Sequence, residues 1–190
     1  MTETNLDQIR PAVDITSDGD LIFAWTEWPT NDQDESETDS YFLRIDSNNV
    51  EKGPYHVADF SAPSPTSSPT GDHRVVVRFL DDDADVVLMA WTLDVSISPN
   101  TGGDIQGRPV CFDETTGVPD SNGPSISTLN ETTNGDQVRP AFDYDPVAGE
   151  TDTWMVWVTW ESRDVDGGSP TTTEWDVRAR AWEATGDPGA

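Results

Sequence analysis

Basic residues are scarce in this chain, and lysine is almost absent. Nine arginines and one lysine, Lys52, stand against 37 acidic residues, which gives a formal net charge of −27 at pH 7. Because phosphate-binding surfaces need clustered lysine and arginine, this composition argues against nucleic acids and anionic membranes as partners. Salt screens such self-repulsion within roughly 3 Å at 1 M, and halophilic proteins use high charge to stay soluble. The composition therefore indicates a high-salt environment.

Cysteine, histidine and long apolar runs are also lacking. Cys111 is the only cysteine, so the chain cannot form an internal disulfide. No segment approaches the ~20 apolar residues of a membrane-spanning helix. Residues 1–7 show neither the basic nor the apolar part of a signal peptide. With two histidines and no G-x-S-x-G, H-E-x-x-H or phosphate-loop motif, the sequence predicts a protein that is not an enzyme.

What the chain does contain is a repeat. Residues 7–14 read Asp-Gln-Ile-Arg-Pro-Ala-Val-Asp, and residues 136–143 read Asp-Gln-Val-Arg-Pro-Ala-Phe-Asp. A weaker copy begins at Asp72, and the repeated arginine recurs at intervals of 64 and 65 residues. A fixed period of this kind indicates tandem copies of one structural unit. We predict a single domain over 1–190 with units at 7–60, 72–130 and 136–190 and a Pro/Ser-rich linker at 61–71.

Each unit is predicted to be an antiparallel sheet of four strands. Residues 16–20 contain the Asp-Gly pair that is typical of hairpin turns. Apolar residues alternate along the strands; in the second strand of the third copy, one face carries Trp154, Val156, Val158 and Trp160, and the other carries Met155 and Trp157. The chain ends before a fourth strand of that copy. Such units are typical of β-propeller blades, and a β-sandwich is the alternative.

The repeated residues resemble a known type of module. Asp-Gln-x-Arg-Pro-Ala, an Asp-Gly turn, Ala-Trp-Thr, Val-x-Ala-Arg-x-Trp and Gly-x-Pro are similar to repeats of large secreted bacterial and archaeal proteins, described as propeller-like or sialidase-like modules. The resemblance covers most of copies one and three, and copy two departs from it where His73-Arg74-Val75 stands for Gln-x-Arg-Pro. The resemblance implies a surface or secreted binding module, sometimes associated with calcium.

Three blades are too few to close a propeller, which has ~4–8. Either the chain is one part of a larger assembly, or copies associate, in which case two chains would complete a six-bladed ring. We therefore expect other protein subunits as partners and a homo-oligomer. An open module with capped ends is the alternative.

Arginines and tryptophans are the candidate ligand-binding residues. If the first strand of each unit is innermost, its arginine faces the central channel, where guanidinium groups can hold a carboxylate or sulfate. The alternative is that each arginine pairs with an acid of its own or the adjacent unit, such as Asp14 or Asp143. Tryptophans in excess of one per unit could bind a glycan or a protein. The candidates are Arg10, Arg74, Arg139, Trp28 and Trp175.

Acidic loops are the candidate metal sites. Calcium takes 6–8 oxygen ligands, which aspartates can supply, although neither loop has the EF-hand spacing. Solvated acidic loops are the alternative, since 37 acids produce such runs by composition alone. The candidate ligands are Asp81, Asp82, Asp83, Asp85, Asp164 and Asp166.

Together these observations predict a non-enzymatic structural or attachment module of a halophile. It would act on a cell surface or on the exterior of a virus particle, by binding proteins or glycans. A sialidase-like or glycoside-acting enzyme fragment is the alternative, because paired carboxylates could hydrolyse glycosidic bonds. We expect an extracellular or virion-associated location, and the missing signal peptide fits a particle component.

Overall fold

The computed structural model describes residues 6–29, 38–57, 72–80, 86–93, 103–113, 116–120, 126–130, 136–150, 153–163 and 176–185. Every regular element in these residues is a β-strand, which confirms the predicted all-β class. Within the same residues, no helix has the length and hydrophobicity needed to cross a membrane. The predicted linker, 61–71, lies outside the described residues.

The strands form three separate antiparallel sheets of four, four and three strands. The first sheet contains β1 (Leu6–Ile15), β2 (Leu21–Pro29), β3 (Asp39–Ile45) and β4 (Glu51–His56). The second contains β5 (Asp72–Phe79), β6 (Val86–Leu93), β7 (Asp104–Cys111) and β8 (Ser127–Thr128). The third contains β9 (Asp136–Pro146), β10 (Thr153–Arg163) and β11 (Asp176–Thr185), and its described residues include no fourth strand, as predicted.

Neighbours in each sheet are also neighbours in the sequence. In the first turn, the N–H of Thr16 donates to the carbonyl of Asp20 at 3.0 Å, and Gly19 has a φ of 95°. A positive φ is the conformation that favours glycine, so the Asp-Gly pair forms the turn that the sequence predicted. Each sheet is therefore a meander of the kind found in propeller blades.

The register of the three sheets makes their positions equivalent. In every sheet the first strand has a bulge at which two residues lie opposite one tryptophan of the second strand: Trp25, Trp91 or Trp160. We call the side of each sheet that carries this tryptophan its front face. The other side is its back face, and the residues equivalent to one another there include Ile22, Leu88 and Trp157.

The second sheet is packed between the other two. Along β6 the side chains alternate: Val87, Met89 and Trp91 pack on the first sheet, whereas Val86, Leu88 and Ala90 pack on the third. All six are buried, because both faces of this sheet are covered. The fold thus has three layers rather than the two of a β-sandwich, and each interface joins the back face of one sheet to the front face of the next.

Polar contacts reinforce the apolar packing between the first and second sheets. The carboxylate Oδ2 of Asp14 accepts the backbone N–H of Phe79 at 2.9 Å, and Arg74 donates its N–H to the Thr26 hydroxyl at 3.1 Å. The guanidinium of Arg44 lies 4.9 Å from the ring centroid of Phe112. Buried polar groups need such partners, so these contacts fix how one sheet sits on the next.

Candidate functional site

The three repeated arginines occupy the same place in the three sheets. Each is the first residue of the bulge in the first strand, and the φ angles of Arg10, Arg74 and Arg139 are 54°, 58° and 57°. A left-handed residue at this bulge position is normally glycine. The repeat identified the three positions in the sequence, but not this backbone conformation. In two of the copies the arginine precedes proline, and a residue before proline is expected to have an extended backbone with negative φ.

The arginines form a row along the edge strands. The first strand of each sheet contacts the first strand of the next, and stacked sheets lie about 10 Å apart. Arg10 and Arg74 are half-buried, whereas Arg139 is exposed and donates to the carboxylate of Glu161 at 2.6 Å. This row of cationic groups could hold an anionic ligand. Anion binding there stays a prediction.

Asp14 and Asp143, the two acids that the sequence proposed as arginine partners, both accept backbone N–H groups. Asp14 accepts the Phe79 N–H, and the Arg78 guanidinium lies 3.4 Å from its Oδ1. The described partner of Arg139 is Glu161, and Asp143 accepts the N–H of Tyr144 at 3.0 Å. Pairing between arginines and acids of the same or the adjacent unit therefore occurs, at Arg139–Glu161 and Arg78–Asp14.

The other predicted site residues lie where nothing can be said of their side chains. Trp28 belongs to β2, but its side chain is outside the described part of the chain, and the whole of Trp175 is outside it. The same holds for the six candidate calcium ligands Asp81, Asp82, Asp83, Asp85, Asp164 and Asp166. Among the residues that the structure describes, no group of three His, Cys, Asp or Glu side chains could hold a metal ion.

The front face of the first sheet is an apolar surface that the sequence reasoning did not single out. Val13 and Ile15 are 58% and 60% exposed, and the side chains beside them on the second and third strands are half-buried: Leu21, Phe23, Trp25, Leu43 and Ile45. Trp25 stacks on Tyr41 with their ring centroids 6.0 Å apart. No other described sheet packs on this face.

The back face of the third sheet is the second uncovered surface. Trp157 is 56% exposed and Val177 is 80% exposed. Small side chains surround them, namely Ala141, Ala179 and Ala181, while the exposed acids Asp143, Asp145 and Glu183 flank them. Within the described ranges, this face also has no neighbouring sheet.

The internal interfaces bury the positions that are equivalent to these exposed residues. Val77 and Phe79 are the front-face equivalents of Val13 and Ile15, and both are only 4% exposed because the first sheet covers them. On the back face, Ile22 and Leu88 are equivalent to Trp157, and both are fully buried at 0% exposure. The exposed apolar residues therefore stand at positions that a neighbouring sheet covers elsewhere in the chain.

A signal for these surfaces was present in the sequence. The second strands of the first and third units carry apolar residues on both faces, as the second strand of the middle unit does. A sheet with two apolar faces needs two neighbours, but the sequence alone does not say which sheet lies at an end. The chain matches no protein-family model, and no curated protein is significantly similar to it.

Proposed function

We propose that this protein is a non-enzymatic structural or attachment module that binds other protein subunits through the outer faces of its first and third sheets. One observation carries the proposal: Val13, Ile15, Trp157 and Val177 are exposed at positions whose equivalents are buried between sheets. Contiguous apolar patches on a soluble protein typically mark interaction sites. Burial of a large apolar side chain contributes about 1.5–3 kcal/mol.

The proposed setting is a cell surface or virus particle in a high-salt environment. The net charge of −27 supports it, because repulsion among so many acids weakens as salt shortens the screening length. The resemblance of the repeats to secreted surface modules supports the extracellular location. Calcium binding by the acidic loops and glycan binding by Trp28 and Trp175 stay predictions of the sequence.

Site-specific photo-crosslinking in the native high-salt assembly tests the proposal. A benzophenone amino acid is placed at Val13, on the front face of the first sheet. A control variant carries it at Thr116, which is exposed in the middle unit and lies on neither outer face. We expect a defined protein adduct from position 13 and none from position 116. Equal labelling at the two positions, or no adduct at either, would contradict the proposal.

A further inference from the structure

We infer that the partner of the first sheet is the third sheet of a second copy of this chain, so that two copies close a ring of six sheets. This inference rests on the proposed function, because it names the partner that the two outer faces bind. The observations that carry it are the direction in which the sheets stack, the burial of equivalent positions, and one hydrogen bond between sheets.

The stacking direction is the same at both interfaces within the chain. The back face of the first sheet packs on the front face of the second, and the back face of the second packs on the front face of the third. The two faces without a described neighbour are therefore a front face, on the first sheet, and a back face, on the third. A front and a back face are the pair that this fold joins twice already. A second copy supplies the missing member at each end.

Burial at equivalent positions shows that the two faces suit each other. The internal interfaces bury Phe79 on a front face and Leu88 on a back face to 4% and 0% exposure. Their equivalents at the ends, Ile15 and Trp157, are 60% and 56% exposed. Val177 on the third sheet and Ile105 on the second are also equivalent, because each lies opposite the residue that follows the front-face tryptophan. Ile105 is fully buried at the internal interface, whereas Val177 is 80% exposed.

A hydrogen bond between sheets gives the contact a specific register. Asp14 on the first sheet accepts the N–H of Phe79 on the second at 2.9 Å. Asp143 is the equivalent of Asp14, and Ile15 is the equivalent of Phe79. Because Thr16 donates its N–H to Asp20, strand alternation directs the N–H of Ile15 away from β2. In the dimer, Asp143 of one copy would accept the Ile15 N–H of the other.

The number of copies follows from the number of sheets. When copies associate through two different faces, the rotation from one copy to the next decides the assembly. A rotation that returns to the first copy gives a closed ring, and any other rotation gives a filament. The described residues of each chain form three sheets, and closed propellers have ~4–8. Two copies give six sheets, whereas three copies would give nine, outside that range. Acids lie on both faces: Glu27 and Asp39 on the front face of the first sheet, and Asp143, Asp145 and Glu183 on the back face of the third. The association should therefore strengthen as salt screens the repulsion.

Mixed cross-linking between two cysteine variants tests the inference. Ile15→Cys and Asp143→Cys are made in separate chains, mixed in molar NaCl, and treated with a short bismaleimide, which tolerates separations longer than a disulfide bridges. Both residues are exposed, so both variants should fold, and the native Cys111 is buried. We expect about ten-fold more cross-linked dimer in the mixture than in either variant alone. That ratio corresponds to a preference of about 1.4 kcal/mol for front-to-back contacts over front-to-front or back-to-back contacts. Ile15→Cys mixed with Thr116→Cys is the matched control and should give only background.

The stoichiometry is tested with both cysteines in one chain. The double variant should give a single species of two chains that are joined at two places. A ladder of higher multimers would overturn the ring, and efficient cross-linking of Ile15→Cys with itself would overturn the pairing of a front face with a back face. A monomer that still forms photo-adducts with a different protein from position 13 would overturn this inference and leave the proposed function standing. A monomer without such adducts would remove both.

Discussion

Arg10, Arg74 and Arg139 hold a backbone conformation that arginine rarely adopts. A left-handed non-glycine residue costs roughly 1–2 kcal/mol, and this chain places one at the same bulge of all three sheets. Because the same unfavourable conformation recurs at three equivalent positions, the bulge is a structural feature of the repeated sheet and not a distortion of one strand. Bulges re-aim side chains at the edges of sheets, and here they set the row of arginines along the first strands.

Substitution at Arg139 should reveal this strain. Arg139→Gly and Arg139→Ala both remove the ion pair with Glu161, but alanine keeps the unfavourable φ of 57°. We expect the glycine variant to be the more stable by about 1 kcal/mol in chemical denaturation. Ala141 on the same strand is the control, because it is not among the residues with positive φ. There Ala141→Gly should cost about 0.5–1 kcal/mol. If glycine were less stable than alanine at position 139 as well, the backbone at Arg139 would not be strained and the account would be contradicted.

Asp14 and Asp143 show how one residue type serves two environments. Asp14→Ala leaves the N–H of Phe79 without its acceptor between two sheets, which should destabilise the fold by about 1–3 kcal/mol. Asp14→Asn keeps an acceptor oxygen and should cost less. Asp143→Ala removes an exposed side chain that accepts the N–H of its chain neighbour Tyr144, and should cost less than Asp14→Ala, about 0.5–1 kcal/mol, at protein concentrations too low for association. Equal losses at Asp14 and Asp143 would contradict the claim that Asp14 holds two sheets together while Asp143 is exposed.

β6 is the element on which the fold depends, because it is buried on both sides. Its seven residues Val86–Thr92 are all buried, and alternate side chains belong to different apolar clusters. β2 and β10 are each covered on one face by a described sheet. Mutations in β6 should therefore affect both interfaces of the chain, whereas mutations on the outer faces should affect association.

Truncation of one side chain in each environment tests this distinction. Leu88 is fully buried and packs on the third sheet, so Leu88→Ala should cost about 2–5 kcal/mol in the free energy of unfolding. Val13→Ala removes apolar atoms from a side chain that is 58% exposed, and should cost less than about 0.5 kcal/mol in the monomer. Denaturant titration at low protein concentration measures both. A large loss at Val13 under those conditions would mean that another part of the chain covers this face.

The sequence predicted the elements well where alternation and turn residues agreed. In β10, Trp154, Val156, Val158 and Trp160 share the front face, and Met155 and Trp157 share the back face, as the alternation predicted. The sequence could not show which face of each sheet is covered by a neighbouring sheet and which is exposed, because both faces carry apolar residues. It also could not show the backbone angle of the repeated arginines or the role of Asp14, because these depend on how one sheet meets the next.

At the scale of the whole molecule, net charge should dominate the response to salt. A charge of −27 repels itself, and the screening length falls from about 10 Å at 0.1 M to about 3 Å at 1 M salt. We expect the melting temperature to rise by roughly 10 °C over this range, a shift that about 3 kcal/mol produces in a chain of this size. Calorimetry at a fixed protein concentration measures the shift.

A charge-reduced variant separates screening from general salt effects. Asp7→Asn, Asp18→Asn and Glu150→Gln neutralise three exposed acids that lie on neither outer face and belong to neither apolar cluster. If repulsion is the cause, this variant melts at a higher temperature in low salt and gains less on addition of NaCl. A melting temperature that does not depend on salt, in either protein, would contradict the halophilic setting.

The central claim is that the exposed faces of the first and third sheets bind a second copy of the chain. The molar mass of the protein in solution tests this claim most directly. Sedimentation equilibrium in molar NaCl should give twice the chain mass of 20.8 kDa for the wild-type protein. It should give the chain mass for Ile15→Asp, which places a charge on the front face of the first sheet. A wild-type protein that sediments as a monomer at every concentration, indistinguishable from Ile15→Asp, would contradict the claim.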